Sequence, residues 1–490
     1  MSQLRLAGED KDLFLLVSRA AFSNPFSEGR AELDRKIADI GAKASVDGEG
    51  ANAPVELAIA RVRERIRVLG DGGPLRLDDV NAADRDRVKY TVLFATFYQY
   101  VDDFDQLIVN QSKNRETILS AAFGKRLIRD LEVFGLSTEQ ACRFFELFFQ
   151  MRRAHHFIAG AFIGTSNAMR TVRESLWNLI FTYDIVQYER SLWNKLEDFS
   201  TILIGETGTG KSAAARAIGL CGWIPYDLKT GRFKESFAEL FVPVNLSEFS
   251  EGLIESELFG HRKGAFTGAR EDYEGWLAQC SRYGIVFLDE IGELSIPIQV
   301  KLLRVLQDRT FTAVGSHVEQ RFSGRVIAAT HRSFDKLRQD GQMRDDFYYR
   351  LCSGMLLIPP FREQLREDSS LLRQLVSHLV DRFATAGPGE ISPEIASRVH
   401  DAICRDLPKD YGWPGNVREL EQVVRRVLLT GRADLPTAAA DITQLLASPY
   451  MDMIAEGRLN ADQLMAGYCA QLYDRMGSYA DVAARTELDP

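Results

Sequence analysis

Thr201-Ile-Leu-Ile204 runs directly into Gly205-Glu-Thr-Gly-Thr-Gly-Lys-Ser212, and Ala213 to Leu220 then read as a helix. A short apolar strand, a glycine-rich turn ending in Lys-Ser and a helix form the setting in which G-x-x-x-x-G-K-[ST] cradles phosphates. The turn Gly205, Glu206, Thr207, Gly208, Thr209, Gly210 can close its backbone N–H groups around phosphates, and the helix N-terminus adds its dipole. Lys211 is placed to reach the β- and γ-phosphates of ATP, and the Ser212 hydroxyl to ligate Mg²⁺. A chance glycine-rich turn would have no reason to sit between a strand and a helix.

Working outward, Gly284-Ile-Val-Phe-Leu-Asp289-Glu290 supplies the second half of such a site. A buried parallel strand reads as an unbroken apolar run and ends in acids at the ligand edge of the sheet. Asp289 fits a second Mg²⁺ ligand, directly or through water, and Glu290 fits the base that orients an attacking water. A further strand, Arg325-Val-Ile-Ala-Ala-Thr-His331, brings Thr330 and His331 to the same edge. His331 reads either as a satisfied polar residue at a strand end or as a sensor of the γ-phosphate. Arg344 and Arg350, in Met343-Arg-Asp-Asp-Phe-Tyr-Tyr-Arg-Leu351, have only Asp345 and Asp346 as local acids. They read as surface ion pairs or, in a ring ATPase, as arginines reaching a neighbour's site. Pro359-Pro360 ends the α/β pattern and the chain is helical from Ser369. In Gly412-Trp-Pro-Gly-Asn-Val-Arg-Glu-Leu420, Asn416 is expected as a helix N-cap. Arg418 falls in the first turn, where a cation is locally unfavourable but could lean over a nucleotide.

Between the two halves lies Glu255-Ser-Glu-Leu-Phe-Gly-His-Arg-Lys-Gly-Ala-Phe-Thr-Gly-Ala269, which has no nucleotide chemistry of its own. Gly264 and Gly268 bracket Ala265-Phe266-Thr267, turn chemistry around one exposed aromatic. A bland surface loop is the default reading of such a segment.

Residues 1–160 read as helical, with Val55, Leu57, Ala58, Ile59, Val62, Ile66 and Leu69 at helical spacing. A second helix is expected over Arg87 to Val109, with Asp102-Asp103 in its middle, and Gly48 to Ala53 is a loop. Ser137 and Gln140 form a capping box ahead of Cys142, Phe144, Phe145, Leu147 and Phe148. That aromatic density implies core or a helix interface, with a ligand pocket as the alternative. His155-His156 has no partner at metal-ligand spacing, and no apolar strand ending in paired acids opens the chain as in a phosphorylatable receiver. Beyond Pro436 a linker precedes a helix (461–476), the Gly477-Ser478 turn and a second helix near Tyr479. This reads as the opening of a helix-turn-helix without its recognition helix, so DNA contact through the tail stays open.

Composition bounds the rest. The 490 residues imply about two to four domains, and the net charge of −9 offers no global basic field for nucleic acid. Cys142, Cys221, Cys280, Cys352, Cys404 and Cys469 are scattered without C-x-x-C pairs, as expected of reduced thiols in a cytoplasmic protein. No apolar run is long enough for a membrane span, and the start carries no signal-peptide pattern.

Taken together, residues about 163 to 432 resemble the AAA+ central domain of sigma-54-dependent transcriptional activators. The matching stretches are GETGTGKS (205–212), ESELFGHRKGAFTGA (255–269), GIVFLDEIGELS (284–295), VKLLRVLQD (300–308), the Arg344–Arg350 segment, IPPFRE (358–363) and GWPGNVREL (412–420). GSYADVAARTELD in the tail resembles a Fis-type helix-turn-helix. The resemblance implies an α/β AAA+ P-loop core, a parallel sheet sandwiched by helices, with a helical lid, a mainly α N-terminal domain and a short α tail. The expected division is 1–160 regulatory, 161–361 ATPase, 362–435 lid, 436–458 linker and 459–490 incomplete helix-turn-helix. It further implies Lys211, Ser212, Asp289 and Glu290 at the ATP and Mg²⁺ site, and Asn245 as the switch holding the catalytic glutamate. Arg344 and Arg350 would be trans-acting fingers and Arg418 the lid sensor. Gly264, Ala265, Phe266, Thr267, Gly268 and Ala269 would form the loop that touches sigma-54.

The implied function is a hexameric ATPase remodelling the closed promoter complex of sigma-54 RNA polymerase holoenzyme. The rivals are an AAA+ remodelling chaperone with another protein substrate and a nucleotide-gated DNA-binding scaffold. Two features depart from the pattern. Position 331 is His where Asn is common, and residues 164–201 (Trp177, Phe181, Tyr183, Tyr188, Trp193) and 222–240 carry extra sequence.

Overall fold

In a computed structural model of the chain, the described residues are 4–40, 53–71, 73–383 and 393–433, with isolated positions between 465 and 486. The expected linker (436–458), most of the expected tail helices and residues 48–52 of the loop expected over 48–53 lie outside them, while Ala53 begins a helix instead. Five apolar segments form a parallel sheet: β1 (Thr201–Ile204), β2 (Phe241–Asn245), β3 (Ile285–Asp289), β4 (Arg325–Thr330) and β5 (Gly354–Leu357). Their order is β2-β3-β4-β1-β5, so every neighbouring pair needs a crossover over one face. Successive side chains alternate between the faces. Leu203, Ile285, Phe287, Ile327 and Ala329 join a core built with the N-terminal helices, whereas Ile202, Val286, Leu288, Val326 and Ala328 join one under helix Ile296–Asp308. Both faces are therefore covered, which is why the strands read as apolar runs rather than alternating ones. This is the α/β AAA+ arrangement expected from the sequence.

The longer helices before β1 are α1 (Glu9–Ala20), α2 (Glu28–Asp39), α3 (Ala53–Leu69), α4 (Arg85–Gln99), α5 (Val101–Lys113), α6 (Phe123–Phe134), α7 (Thr138–Ala161) and α8 (Asn167–Phe181). The single helix expected over 87–109 is two helices. Tyr100 leaves helical geometry (φ −111°, ψ 13°), and its hydroxyl donates to Asp130 Oδ2 at 2.6 Å, so a tertiary contact breaks a locally continuous pattern. Asp102 and Asp103 consequently sit in the first turn of α5, where carboxylates suit the helix dipole, rather than mid-helix. Ser137 and Gln140 form the reciprocal capping box at the start of α7.

The extra sequence at 222–240 docks on α7. It makes a small hairpin, pairing Tyr226–Asp227 with Arg232–Phe233, and stacks Phe233 on Phe149 with ring centroids 4.3 Å apart. The extra sequence at 164–201 contributes α8, whose Trp177 and Phe181 enter the same core. Helices Leu371–Phe383, Pro393–Asp406 and Asn416–Thr430 enclose a separate core around Leu371, Val376, Ile403, Leu420 and Val424. No helix among the described residues is long and apolar enough to cross a membrane.

Candidate nucleotide site and the loop beside it

The turn from β1 into helix Lys211–Gly219 is held open by its glycines. Gly208 and Gly210 take φ 81° and 100°, in the left-handed region that side chains disfavour. A Cβ on Gly208 would also lie 2.3 Å from the carbonyl oxygen of Gly415, so the lid approaches as closely as a glycine permits. Lys211 is 6% exposed, and its ammonium donates to the carbonyls of Gly205 (2.9 Å) and Glu206 (3.1 Å). Burial lowers its pKa, an effect reinforced by the charge of Arg418 and opposed by Glu290 and Asp289. Across the cleft, the Ser212 hydroxyl donates to Asp289 Oδ2 at 3.1 Å. A hydroxyl and a carboxylate converging beside a buried ammonium and a ring of backbone N–H groups fit a Mg²⁺-bound triphosphate.

Glu290 follows β3 with φ 58° and ψ 50°, a conformation costly for a residue with a Cβ and typical of functional positions. Its Oε2 lies 2.7 Å from Nδ1 of His331, the residue just past β4. Thr330 is fully buried; its carbonyl accepts from the Gly205 N–H (3.3 Å) and its hydroxyl from the Arg332 N–H (3.0 Å). Thr330 thus braces the phosphate turn, while His331 holds the carboxylate. Asn245 ends β2 directly opposite Asp289 in register, but its amide donates to Glu248 at 2.8 Å, not to Glu290. The glutamate partner in this structure is therefore His331.

Arg344 and Arg350 are placed differently. The Arg344 backbone N–H is fixed by the buried Gln299 (3.1 Å), and its exposed side chain pairs with Asp346 at 2.8 Å. Arg350 donates from both Nε and Nη2 to the Leu306 carbonyl, at 3.0 and 2.8 Å, near the end of helix Ile296–Asp308.

The lid closes on the phosphate turn through contacts that the sequence did not suggest. Arg362 grips Glu206 with two bonds (2.8 and 2.6 Å), and these, with Asn416, hold the Glu206 carboxyl down to about 2. Asn416 Nδ2 also donates to Glu206 (3.1 Å) and to the Thr207 carbonyl (3.0 Å), while its Oδ1 accepts from the Phe361 N–H (2.7 Å). Asn416 is accordingly the first helical residue, with Gly415 at the cap position, rather than the expected N-cap. Its side chain is spent on the phosphate turn. Arg418 packs its Cβ and N–H against Gly208.

The 264–269 loop leaves the same edge by one helix: β2 ends at Asn245, helix Glu251–Phe259 follows, and the chain turns out at Gly260. Its base is braced. Asp272 accepts from the Lys263 N–H (2.8 Å) and pairs with Arg262 (2.6 Å), and the Arg262 N–H donates to the Val314 carbonyl (3.0 Å). The Gly264 N–H closes the loop on the Ala269 carbonyl at 2.8 Å. Beyond that bond nothing packs on Gly264 or Gly268. Phe266 is 40% exposed, and its ring meets His261 edge-on at 4.9 Å. The base is rigid and the tip is offered to solvent.

The parallel sheet flanked by helices, with its helical lid, is an AAA+ arrangement. Residues 185–356 match the family described as the Sigma-54 interaction domain, and residues 366–447 match the AAA+ ATPase lid domain. Relatives carry matching descriptions. The sigma54-dependent transcriptional activator SfnR of Pseudomonas putida is 42% identical over 231 residues, 47% of this chain and 57% of its own length. The DNA-binding transcriptional regulator NtrC of Azospirillum brasilense is 37% identical over 265 residues, 54% of this chain and 47% of its own. The chain thus spans about half the length of the curated relatives it matches. The solved structure of NtrX from Brucella abortus aligns over 74% of this chain and 76% of that one, with 21% identity and a TM-score of 0.43.

Proposed function

We propose that the chain is an ATP-hydrolysing transcriptional activator that remodels the sigma-54 RNA polymerase closed promoter complex through the loop Gly264 to Ala269. The observation that carries this reading is the continuity from Asn245, beside Asp289, through one helix to a braced loop with an exposed Phe266-Thr267 tip. Sigma-54-dependent relatives among the matches support the choice of partner.

Lys211 and the turn N–H groups bind the phosphates of ATP, and Ser212 and Asp289 would hold Mg²⁺, which neutralises phosphate charge when bound. Glu290, oriented by His331, takes the proton of the attacking water. Thr330 fixes the phosphate turn, and Arg418 lies over it from the lid. Arg344, at the surface with only Asp346 to leave, is the better placed of the two finger arginines to reach a neighbouring subunit of a homohexameric ring. Arg350 would first have to give up the Leu306 carbonyl.

A change at the nucleotide edge would move the loop as a two-state element, since its base is fixed and only its tip is free. Contact with sigma-54 is then made by Gly264, Ala265, Phe266, Thr267, Gly268 and Ala269. The test is capture of purified sigma-54 by the Glu290→Gln variant with ATP and Mg²⁺. Capture that needs ATP and is lost in Glu290→Gln/Thr267→Ala supports the reading; capture indifferent to Thr267 contradicts it.

A further inference from the structure

Arg325, the first residue of β4, is a buried charge that lacks a counter-charge. It is 7% exposed, and burial pushes its guanidinium down to about 10. Nε donates to the Phe199 carbonyl (2.9 Å), and Nη2 to the Leu179 carbonyl (3.0 Å) and the Thr201 hydroxyl (2.8 Å). No carboxylate pairs with it among the described residues. Nη1 makes no hydrogen bond among the described residues.

Arg325 lines a cavity of about 210 Å³ between the N-terminal helices and the parallel sheet. Two indoles, Trp193 and Trp223, meet in its wall with ring centroids 4.9 Å apart, and Tyr283 is a third aromatic surface. The Trp223 indole N–H also has no acceptor among the described residues. Arg282 at the exposed mouth makes two cations against one acid, Glu197.

We propose that this cavity binds a small carboxylate with a flat apolar body. The carboxylate takes the free Nη1 of Arg325, and the body lies against the Trp193–Trp223 wall. A guanidinium out of water with neutral partners gains most from an anion, because a charge-assisted bond there is both stronger and neutralising. A water molecule could satisfy Nη1 but would leave the charge uncompensated. The aromatic wall supplies the apolar share that a bare oxyanion could not use. Gln150 of α7 and Cys221, at the end of the phosphate-binding helix, also line the cavity, so an occupant would touch both halves of the molecule.

The test uses the full chain and reads binding, so it stands or falls separately from ATP hydrolysis and sigma-54. Benzoate is titrated against benzamide, its uncharged isostere, and against inorganic phosphate, following melting temperature and tryptophan fluorescence. Benzoate is expected to raise the melting temperature and quench fluorescence saturably at millimolar concentration, with benzamide and phosphate each weaker by about tenfold. Arg325→Lys should abolish the preference for benzoate over benzamide. Trp193→Leu, at a partly buried position in the cavity wall, should weaken benzoate about tenfold. No saturable response to benzoate, equal responses to benzoate and benzamide, or unchanged benzoate binding in Trp193→Leu would overturn the proposal.

Discussion

His331 Nδ1 lies 2.7 Å from Glu290 Oε2, joining the residue after β4 to the residue after β3. A carboxylate can only accept, so Nδ1 carries the proton in this pair. Glu290 sits in a strained backbone conformation (φ 58°), and the imidazole fixes where its carboxylate points. His331→Ala is expected to lower kcat for ATP about tenfold with little change in KM, since the residue orients the base without holding the nucleotide. His331→Asn, which keeps a donor, should recover most of the loss. Steady-state ATPase assays of the two variants check this; a change confined to KM would place His331 in binding instead.

Arg362 and Asn416 tie the lid to Glu206 in the phosphate turn. Arg362→Ala should loosen the lid and raise KM for ATP about tenfold, leaving kcat near its original value. Fluorescent-nucleotide binding checks the affinity directly.

Arg153 of α7 is fully buried and donates to the carbonyls of Leu220 and Gly222, at 2.8 Å each, just past the helix Lys211–Gly219. Gln150 of α7 donates to the carbonyl between them, on Cys221, also at 2.8 Å. A cation there suits the helix dipole and satisfies otherwise orphaned carbonyls. Arg153→Met should therefore destabilise the protein by about 2 kcal/mol in denaturant titration, the scale of buried carbonyls left unpaired.

Glu146 of α7 is pushed up to about 7 by burial, although it accepts a 2.7 Å bond from the Tyr226 N–H. Its folded-state pKa lies above the ordinary value of 4.5, so the folded state holds the proton more tightly. Stability is therefore greatest below about pH 4.5 for this group and falls as pH rises through about 7. Glu146→Gln keeps the acceptor and removes the charge. It should raise the melting temperature at pH 8 and change it little at pH 5.

Much of the nucleotide edge was legible because each part is local. The apolar runs of β1, β3 and β4 and the glycine spacing before Lys211 carry their own physical signature. What was not legible joins distant residues. Nothing near Arg362 or Glu206 announces that they meet, and Asn416 looks like an N-cap until its amide is seen bonded to the phosphate turn. Asn245 reads as a partner for the catalytic glutamate, yet a local acid, Glu248, takes its amide. The break at Tyr100 is likewise set by Asp130 on another helix. The extra segments 164–201 and 222–240 looked like insertions, and they turn out to be the surface on which the N-terminal helices pack.

The Phe266-Thr267 tip is proposed as the output of ATP hydrolysis. Its most direct test is promoter opening by sigma-54 RNA polymerase, read by permanganate reactivity of the melted bases, with the wild-type chain and Thr267→Ala compared at matched ATPase rates. Opening that requires ATP with the wild-type chain, and is absent with Thr267→Ala while hydrolysis continues, is the predicted result. Equal opening by both chains would contradict it.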